Sequence, residues 1–222
     1  EWEANMPEGI AEGIGASVRR KEDKKFTTGK GRYTDDINRP GQLHAFFIRS
    51  NVAHAKINDI DITKALKSDG VAAIYTGADI AADGVGGPIC GWTPTNRDGS
   101  APKEPPHPLL ANGKVRYVGD HIAVVIAESM EQAKLAAENV KIDLEALAPV
   151  VDLSTAIGNT QIHDEMDDNV YFDWELGDEK ATDDALSSAA KVIELTVTNN
   201  RVIPNAMEPR AAVAEYDETS ES

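Results

Sequence analysis

A stretch near the N-terminus carries the residue types of a phosphate-binding loop. Residues 25–57 begin KFTTGKGRYTDDI, so glycines, hydroxyl side chains and basic residues stand together. A P-loop needs four residues between its two glycines and a Lys-Ser/Thr pair directly after the second. Here one residue separates Gly29 from Gly31, and Arg32 and Tyr33 follow. The dinucleotide-binding pattern is absent as well, because no predicted strand leads into Gly29 and no third glycine opens a helix. The stretch therefore predicts a turn that feeds a strand.

The histidine and carboxylate patterns predict no metal site. The histidines are His44, His54, His107, His121 and His163. No two of them form an HxH or HxxxH pair, so a core or surface role is favoured for each. An acidic run follows the last of them and comprises Asp164, Glu165, Asp167 and Asp168. This run lacks the glycine and the distal glutamate of an EF-hand loop, and a solvated acidic loop is the favoured interpretation.

Nucleophilic chemistry has one candidate, Cys90 in GGPICGW, which is the only cysteine. An intrachain disulfide is therefore excluded, and so is a cysteine-rich zinc or iron-sulfur site built by this chain alone. The thiol would act as a nucleophile only if a base approached it in the folded chain; the alternative is a small buried or half-exposed side chain. No GxSxG motif occurs, and no Ser-His-carboxylate triad can be assembled by pattern. The sequence thus names no catalytic, cofactor-binding or metal-ligating residue.

Length and charge restrict the class of protein and its partners. The 222 residues suffice for a buried core in one or two domains, and the formal net charge is −16. This charge opposes binding to nucleic acid and to anionic membranes. No apolar run approaches the roughly 20 residues of a membrane-spanning helix, and the N-terminus EWEANMPEGI lacks the pattern of a signal peptide. We therefore expect a soluble, cytoplasmic protein. Because the chain begins without Met and ends shortly after an apparent strand, we also expect a processed subunit or a piece of a longer protein.

The hydrophobic pattern predicts strands and short helices after an extended arm over residues 1–19. QLHAFFIRS (42–50) is apolar on both faces and predicts a buried strand. A first βαβ-like passage follows, in which AKINDIDI is a strand, Asp61 caps a short helix to Leu66, and Gly70 ends that helix before VAAIYTG.

A second βαβ-like passage is marked more clearly. HIAVVIAE (121–128) predicts a buried strand, and Ser129 with Gln132 predicts a capping box. The helix that follows places apolar residues on one face, and VKIDLEAL (140–147) predicts the returning strand.

Two further segments are predicted to be loops. Residues 82–109 are dense in Gly and Pro, and a loop of this length is often functional or contacts a partner, so we predict an interface there. Residues 161–179 form an acidic loop with embedded aromatic residues, and Asp178 can cap the next helix. VIELTVT (192–198) and AAVAEYD (211–217) then predict strands that begin a second domain.

Six segments together resemble the N-terminal part of the large subunit of the molybdenum hydroxylases, the family of xanthine dehydrogenase, aldehyde oxidase and carbon monoxide dehydrogenase. The segments are RRKEDKKFTTGKGRYTDDI (19–37), GQLHAFFIRSNVAHAKI (41–57), GVAAIYTGADI (70–80), VRYVGDHIAVVIAES (115–129), LAPVVD (147–152) and NRVIPNAMEPRAAVAEYD (200–217). They occur in the family's order and at about its spacing. The segment FDWELGDEKATDDAL and the opening RRKED…FTTGKG lean towards the carbon monoxide dehydrogenase-like branch.

The resemblance implies a fold and a division of the chain. The fold class is α/β (α+β): an α/β-hammerhead domain with a mixed sheet over residues 20–150, after the arm at 1–19. Residues 151–222 are implied to be a linker and the truncated start of the first molybdopterin-binding domain. In the family the GKG stretch belongs to the scaffold and enters the hammerhead sheet.

The resemblance also implies a holoenzyme. The full large subunit would bind molybdopterin with molybdenum, and partner domains or subunits would carry [2Fe-2S] clusters and FAD. The reaction would be oxidation or hydroxylation of a small molecule such as an aldehyde, an N-heterocycle or CO. The family's cofactor-binding and catalytic elements correspond to positions beyond Asp217, so no catalytic, cofactor-binding or metal residue is carried over. Glu208 matches a family segment without being the catalytic glutamate.

A different class remains open at the level of sequence. The chain could be a stand-alone, non-catalytic hammerhead module in which the loops at 82–109 and 161–179 bind a protein partner. Homo-oligomers are possible in either case. If the chain is cut within a domain, the strands predicted at 191–217 should find few neighbours or pair with another copy.

Overall fold

The computed structural model describes residues 20–166, 168–200, 202–217 and 219–220. The arm predicted over residues 1–19 lies outside these residues. The chain divides into two compact units. One unit joins the described residues up to Pro40 with those from Asn199 onward, and the other is Gly41–Thr198. The strands of the described residues all lie in the second unit.

The structure contains short strands and helices. The strands are β1 (His44–Arg49), β2 (Ala55–Asp61), β3 (Val71–Thr76), β4 (Lys114–Val115), β5 (His121–Ala127) and β6 (Lys141–Ala146). The α-helices are α1 (Asp23–Thr27), α2 (Gly77–Ala82), α3 (Met130–Ala137) and α4 (Glu179–Ser188). Single 3-10 turns occur at Thr34–Asp36, Ala65–Lys67 and Leu153–Thr155.

The strands form two three-stranded sheets, with orders β1-β5-β3 and β4-β2-β6. Every strand pair in the described residues is antiparallel, so the mixed sheet predicted within the α+β fold is not observed there. The reason lies in the connections. Helix α3 follows β5 of the first sheet and leads into β6 of the second, and β2 and β3 are likewise in different sheets. Two strands joined by a helix form a parallel pair only when both lie in the same sheet. Here each such connection joins strands of different sheets.

Helix α3 covers one face of the first sheet. The Ser129 hydroxyl oxygen accepts a hydrogen bond from the Gln132 backbone N–H at 3.2 Å, which confirms the N-cap half of the predicted capping box. The Gln132 side chain accepts from the Ser129 hydroxyl at 2.9 Å in place of the Ser129 backbone N–H that a full capping box requires. Ala133 and Ala136 are fully buried and belong to one apolar cluster with Val125 of β5. Their small side chains allow the helix to lie close to the sheet. A second cluster, around Val115, stabilises the other sheet.

Strand β1 differs from the predicted strand with two buried faces. It lies at the edge of its sheet. Phe46 and Ile48 pack against the apolar cluster under α3, whereas Phe47, on the opposite face, is 40% exposed. Its ring contacts the imidazole of His121 at a centroid distance of 4.8 Å. Helix α3 covers only one face of the sheet, so the apolar run has a half-exposed side.

The short helix predicted from Asp61 to Leu66 is a turn instead. The Asp61 carboxylate accepts a hydrogen bond from the Thr63 backbone N–H at 2.9 Å, and a single 3-10 turn follows at Ala65–Lys67. Gly70 then adopts φ +72°, and a Cβ on it would lie 2.2 Å from the side chain of Gln132. Both observations explain why glycine ends this segment.

The strands predicted at 192–198 and 211–217 are not formed in the described residues. Ile193, Leu195 and Val197 still alternate with polar residues, but each is 78–80% exposed. An extended segment becomes a strand only when its backbone N–H and C=O groups find a partner. Among the described residues, neither segment pairs with a neighbouring strand.

Candidate functional site

The two loops predicted from composition, residues 82–109 and 161–179, meet in the structure. Asn96 holds them together. Its side-chain oxygen accepts a hydrogen bond from the Asp173 backbone N–H at 3.0 Å, and the Arg97 backbone N–H donates to the Asp173 carbonyl at 2.9 Å. The Asn96 side-chain nitrogen donates back into its own loop, to the hydroxyl of Ser100 at 3.0 Å. Two segments 77 positions apart in sequence thus form one surface.

Arg97 adds charge to this junction. Its Nε lies 2.9 Å from the Glu175 carboxylate and 3.8 Å from the Asp173 carboxylate. The guanidinium side chain is half exposed, so the pairs are worth roughly 0 to 1 kcal/mol each. A depression of about 380 Å³ lies beside them, lined by both loops.

An aromatic cluster occupies the same surface. The Trp92 ring meets the Phe172 ring edge-on at a centroid distance of 5.2 Å and the Trp174 ring at 5.7 Å. Tyr171 meets Phe172 edge-on at 5.4 Å. Trp92 and Trp174 are each about half exposed. We call this surface, formed by Trp92, Phe172, Trp174 and the neighbouring residues Arg97, Asp173 and Glu175, the aromatic patch.

Cys90 lies beside the aromatic patch, exposed to solvent. Its thiol donates to the Trp92 carbonyl at 3.0 Å, and the Tyr171 hydroxyl lies 3.9 Å from the sulfur. Partial burial and the contact with the thiol raise the pKa of Tyr171. His107 lines the same depression as Cys90. Among the described residues, the thiol's hydrogen bonds are to the Trp92 carbonyl and the Tyr171 hydroxyl, and none is to a histidine or a carboxylate that would act as its base.

An ion pair attaches the acidic loop to the second sheet. The Lys114 ammonium donates to both carboxylate oxygens of Asp164, at 2.8 and 2.9 Å. This hydrogen-bonded ammonium holds the pKa of Asp164 below its ordinary value. Arg116 adds a bond from its Nε to the Ile162 carbonyl at 3.2 Å. The loop is thus exposed to solvent, as predicted, and is also held by Lys114 and Arg116.

The histidines are not brought together as a metal site. His54 is 3% exposed, and its Nδ1 lies 2.8 Å from the Ala148 carbonyl, to which it donates. Burial lowers the pKa of His163, and the nearby Arg116 charge lowers it further. Burial also lowers the pKa of His121. His44 lies on β1 and His107 in the long loop. Across residues 20–166, 168–200, 202–217 and 219–220, no group of three or more His, Cys, Asp or Glu side chains could hold a metal ion.

The GKG stretch lies in the unit that contains α1. Gly29 adopts φ +69°, in a turn after the helix that its backbone N–H closes by donating to the Phe26 carbonyl at 3.1 Å. A depression of about 350 Å³ nearby is lined by Tyr33, Asp35, Asp36, Met207, Glu208 and Pro209. Its three carboxylates make it acidic, which is unsuited to a phosphate group.

Sequence reasoning missed Asn96 and Arg97, the residues that join the two loops. The signal available was the turn motif NRDG at 96–99, which the structure shows as a turn with the Gly99 backbone N–H donating to the Asn96 carbonyl at 2.9 Å. The motif indicates a turn but not its partner across the fold. Among the described residues, no helix has both the length and the apolar character of a membrane span.

Two family models match the chain in tandem. The α/β-hammerhead domain of aldehyde oxidase and xanthine dehydrogenase matches residues 28–148, and a molybdopterin cofactor-binding domain matches residues 162–222. The hammerhead match confirms the fold class expected from the six segments. It covers both sheets and the long loop.

Named relatives agree with these matches. The chain is 36% identical to the nicotine 6-hydroxylase large subunit of Paenarthrobacter nicotinovorans, over 94% of this chain and 25% of that protein. It is 34% identical to the carbon monoxide dehydrogenase large chain of Afipia carboxidovorans, over 93% of this chain and 26% of that one. The crystal structure of quinoline 2-oxidoreductase from Pseudomonas putida 86 superposes with a TM-score of 0.63 at 34% identity, over 81% of this chain and 22% of that one. The chain thus spans about a quarter of the length of the curated relatives it matches.

Proposed function

Because the chain belongs to the molybdenum hydroxylase family of aldehyde oxidases and xanthine dehydrogenases, we propose that it is the N-terminal scaffold portion of a molybdopterin-dependent oxidoreductase large subunit. The division of the chain follows from the resemblance: an arm over residues 1–19, the hammerhead domain over 20–150, and a linker with the start of the first molybdopterin-binding domain over 151–222. The observation that carries the proposal is the tandem match of the two family models. Nothing favours the stand-alone interaction module.

The state of residues 189–200 supports this proposal. Ile193, Leu195 and Val197 alternate with polar residues, as in a strand with one buried face. They are nevertheless largely exposed in this chain. Exposure of three large aliphatic side chains in register is costly, since burying each one stabilises by about 1.5 to 3 kcal/mol. The pattern fits a strand whose sheet is completed by residues from the rest of a large subunit.

The described residues do not fit the molybdopterin cofactor by themselves. The cofactor carries phosphate, and a phosphate site needs converging backbone N–H groups or basic side chains. The depression near Glu208 is acidic instead, and the side chains of the described residues between 189 and 217 are exposed. We therefore assign no cofactor contact, no catalytic step and no metal ligand to this chain.

In the holoenzyme, the molybdenum cofactor would supply the oxidation of a small molecule. By analogy with the named relatives, the candidate substrates are CO, an N-heterocycle and an aldehyde. Iron-sulfur and flavin subunits would accept the electrons, and the assembly would be cytoplasmic. The residues of this chain would shape the scaffold and contact the other domains and subunits.

The molybdenum content of two proteins tests the proposal. Elemental mass spectrometry is applied to the purified 222-residue chain and to the full large subunit produced from its gene in a host that makes the cofactor. We expect molybdenum near zero per mole of the 222-residue chain and near-stoichiometric molybdenum in the large subunit. Dye reduction with CO, a pyridine-type heterocycle and an aldehyde then identifies the substrate class.

Either of two results would overturn the proposal. Stoichiometric molybdenum in the 222-residue chain would show a cofactor site in residues that are here assigned to the scaffold. If the gene encodes only this chain and no molybdenum-binding partner co-purifies with it from the native source, the chain is not part of a molybdenum enzyme.

A further inference from the structure

We propose that the aromatic patch is a docking surface for an arginine-bearing segment of a partner protein. This inference goes a step beyond the proposed function, on which it rests, because a scaffold portion of a multisubunit enzyme must contact other subunits. It names the surface and the chemistry of the segment that binds there.

The aromatic rings of the patch are exposed. Trp92 and Trp174 are 51% and 46% exposed, and Phe172, which contacts Trp92, is 38% exposed. Leu176 extends the patch and is 88% exposed. Tryptophan is the residue most enriched at the energetic centres of interfaces, and contiguous apolar patches on a surface mark binding sites.

Hydrogen bonds and ring contacts hold the patch in place. The Asn96 side-chain oxygen accepts a hydrogen bond from the Asp173 backbone N–H, and the Arg97 backbone N–H donates to the Asp173 carbonyl. The Trp92 and Trp174 rings meet edge-on. Phe172 and Trp174, which both contact Trp92, share one side of an extended segment. A surface whose side chains are already positioned loses little conformational entropy when a partner binds.

The charge around the patch selects a basic occupant. Residues 161–179 contain no Lys or Arg, and their acidic residues are Asp164, Glu165, Asp167, Asp168, Asp173, Glu175, Asp178 and Glu179. The field of this segment attracts a basic partner and repels an acidic one. Asp173 and Glu175 flank the rings in sequence and remain 72% and 47% exposed.

The chain already shows the contact that this surface favours. The Arg97 guanidinium lies 2.9 Å from Glu175, at the edge of the patch. Guanidinium groups also stack on tryptophan rings, which lysine ammonium groups do less often. Exposed tryptophans beside exposed carboxylates therefore fit arginine better than lysine, and better than an uncharged apolar segment.

Peptide binding to the 222-residue chain tests the inference. The probes are three synthetic peptides of equal length that alternate glycine with arginine, lysine or glutamate. Binding is followed by tryptophan fluorescence and by calorimetry at low and at physiological ionic strength. We expect the arginine peptide to bind more tightly than the lysine peptide, the glutamate peptide not to bind, and salt to weaken binding.

Substitutions locate the site. Trp92→Ala and Trp174→Ala should each lower the affinity of the chain for the arginine peptide about 3- to 30-fold, as expected from the loss of a desolvated cation–π contact. Tyr75→Ala is the matched control, because Tyr75 is an aromatic residue of similar exposure, 41%, on the first sheet. It should leave peptide affinity unchanged. Circular dichroism checks that each variant is folded.

Three outcomes would overturn the inference. Equal affinity for the arginine and lysine peptides, unaffected by Trp92→Ala, would show that the net negative charge of the chain alone accounts for peptide binding. Absence of peptide binding at low salt would show that the aromatic patch is not a docking surface for a basic segment. The third outcome is that the chain self-associates and that this association is lost when the basic residues of 20–32 are neutralised. That result would show that a second copy of the chain, and not a partner protein, occupies the patch. None of these results depends on molybdenum content, so the proposed function is tested separately.

Discussion

Replacing Val125 by alanine tests the packing of α3 against the first sheet. Val125 lies at the centre of β5, is 0% exposed, and belongs to the apolar cluster under α3. The substitution removes two methylene equivalents, worth about 1.6 kcal/mol of transfer free energy. A cavity that does not collapse adds about 1 kcal/mol. We expect the free energy of unfolding to fall by roughly 2 to 3 kcal/mol.

Val197→Ala is the matched control, because the chemical change is the same and Val197 is 78% exposed. Its expected cost is below about 0.5 kcal/mol. Urea unfolding followed by circular dichroism measures both variants, with an unchanged slope indicating that the unfolded state is the same. A loss from Val197→Ala as large as that from Val125→Ala would refute the reasoning, since it would mean that residues 191–198 are packed in solution.

Three further predictions concern the glycine at a close approach, the helix cap and the half-buried His163. Gly77→Ala should destabilise the fold by about 1 to 3 kcal/mol, because a Cβ would lie 2.3 Å from the Ala111 carbonyl oxygen; Gly86→Ala, where no atom lies within 4 Å, should be close to neutral in the same urea titration. Ser129→Ala should cost about 1 kcal/mol in that assay through loss of the N-cap of α3, and no change would contradict the hydrogen bond described. Burial holds the pKa of His163 below its ordinary 6.5, so as the pH falls the unfolded chain takes up the proton first. Its contribution to stability is complete above pH 6.5 and is lost as the pH falls towards the folded-state pKa. Thermal unfolding between pH 7.5 and 5 should show this loss, and His163→Asn should reduce its slope.

Much of the local structure was predictable because its causes lie within a few residues. Ser129 and Gln132 are three positions apart, as are Asp178 and Ala181, whose backbone N–H donates to the Asp178 carboxylate at 2.8 Å. Caps of this kind mark where helices begin whatever the rest of the fold does. The same holds for Gly70, the predicted left-handed stop of the short helix from Asp61, which adopts φ +72° although a 3-10 turn stands in the helix's place.

The sheets were predicted less well. The alternation of apolar residues indicates a strand but says nothing of the strand beside it. β2 and β3 follow one another in sequence and belong to different sheets, so the first βαβ-like passage does not form one sheet. The same limit applies to residues 192–198, where a strand pattern is present and the described residues contain no partner for it.

The sequence by itself determined the family, the absence of cysteine-rich chemistry, the helix caps and the two loops that carry exposed aromatic and acidic residues. Only the tertiary structure decided that these loops join through Asn96 and Asp173, that Phe47 faces outward from β1, and that Trp92 meets Phe172. The physical reason is range. Capping and turn formation depend on neighbours three or four residues away, whereas the aromatic patch depends on segments 77 positions apart that the fold of the intervening sheets brings together.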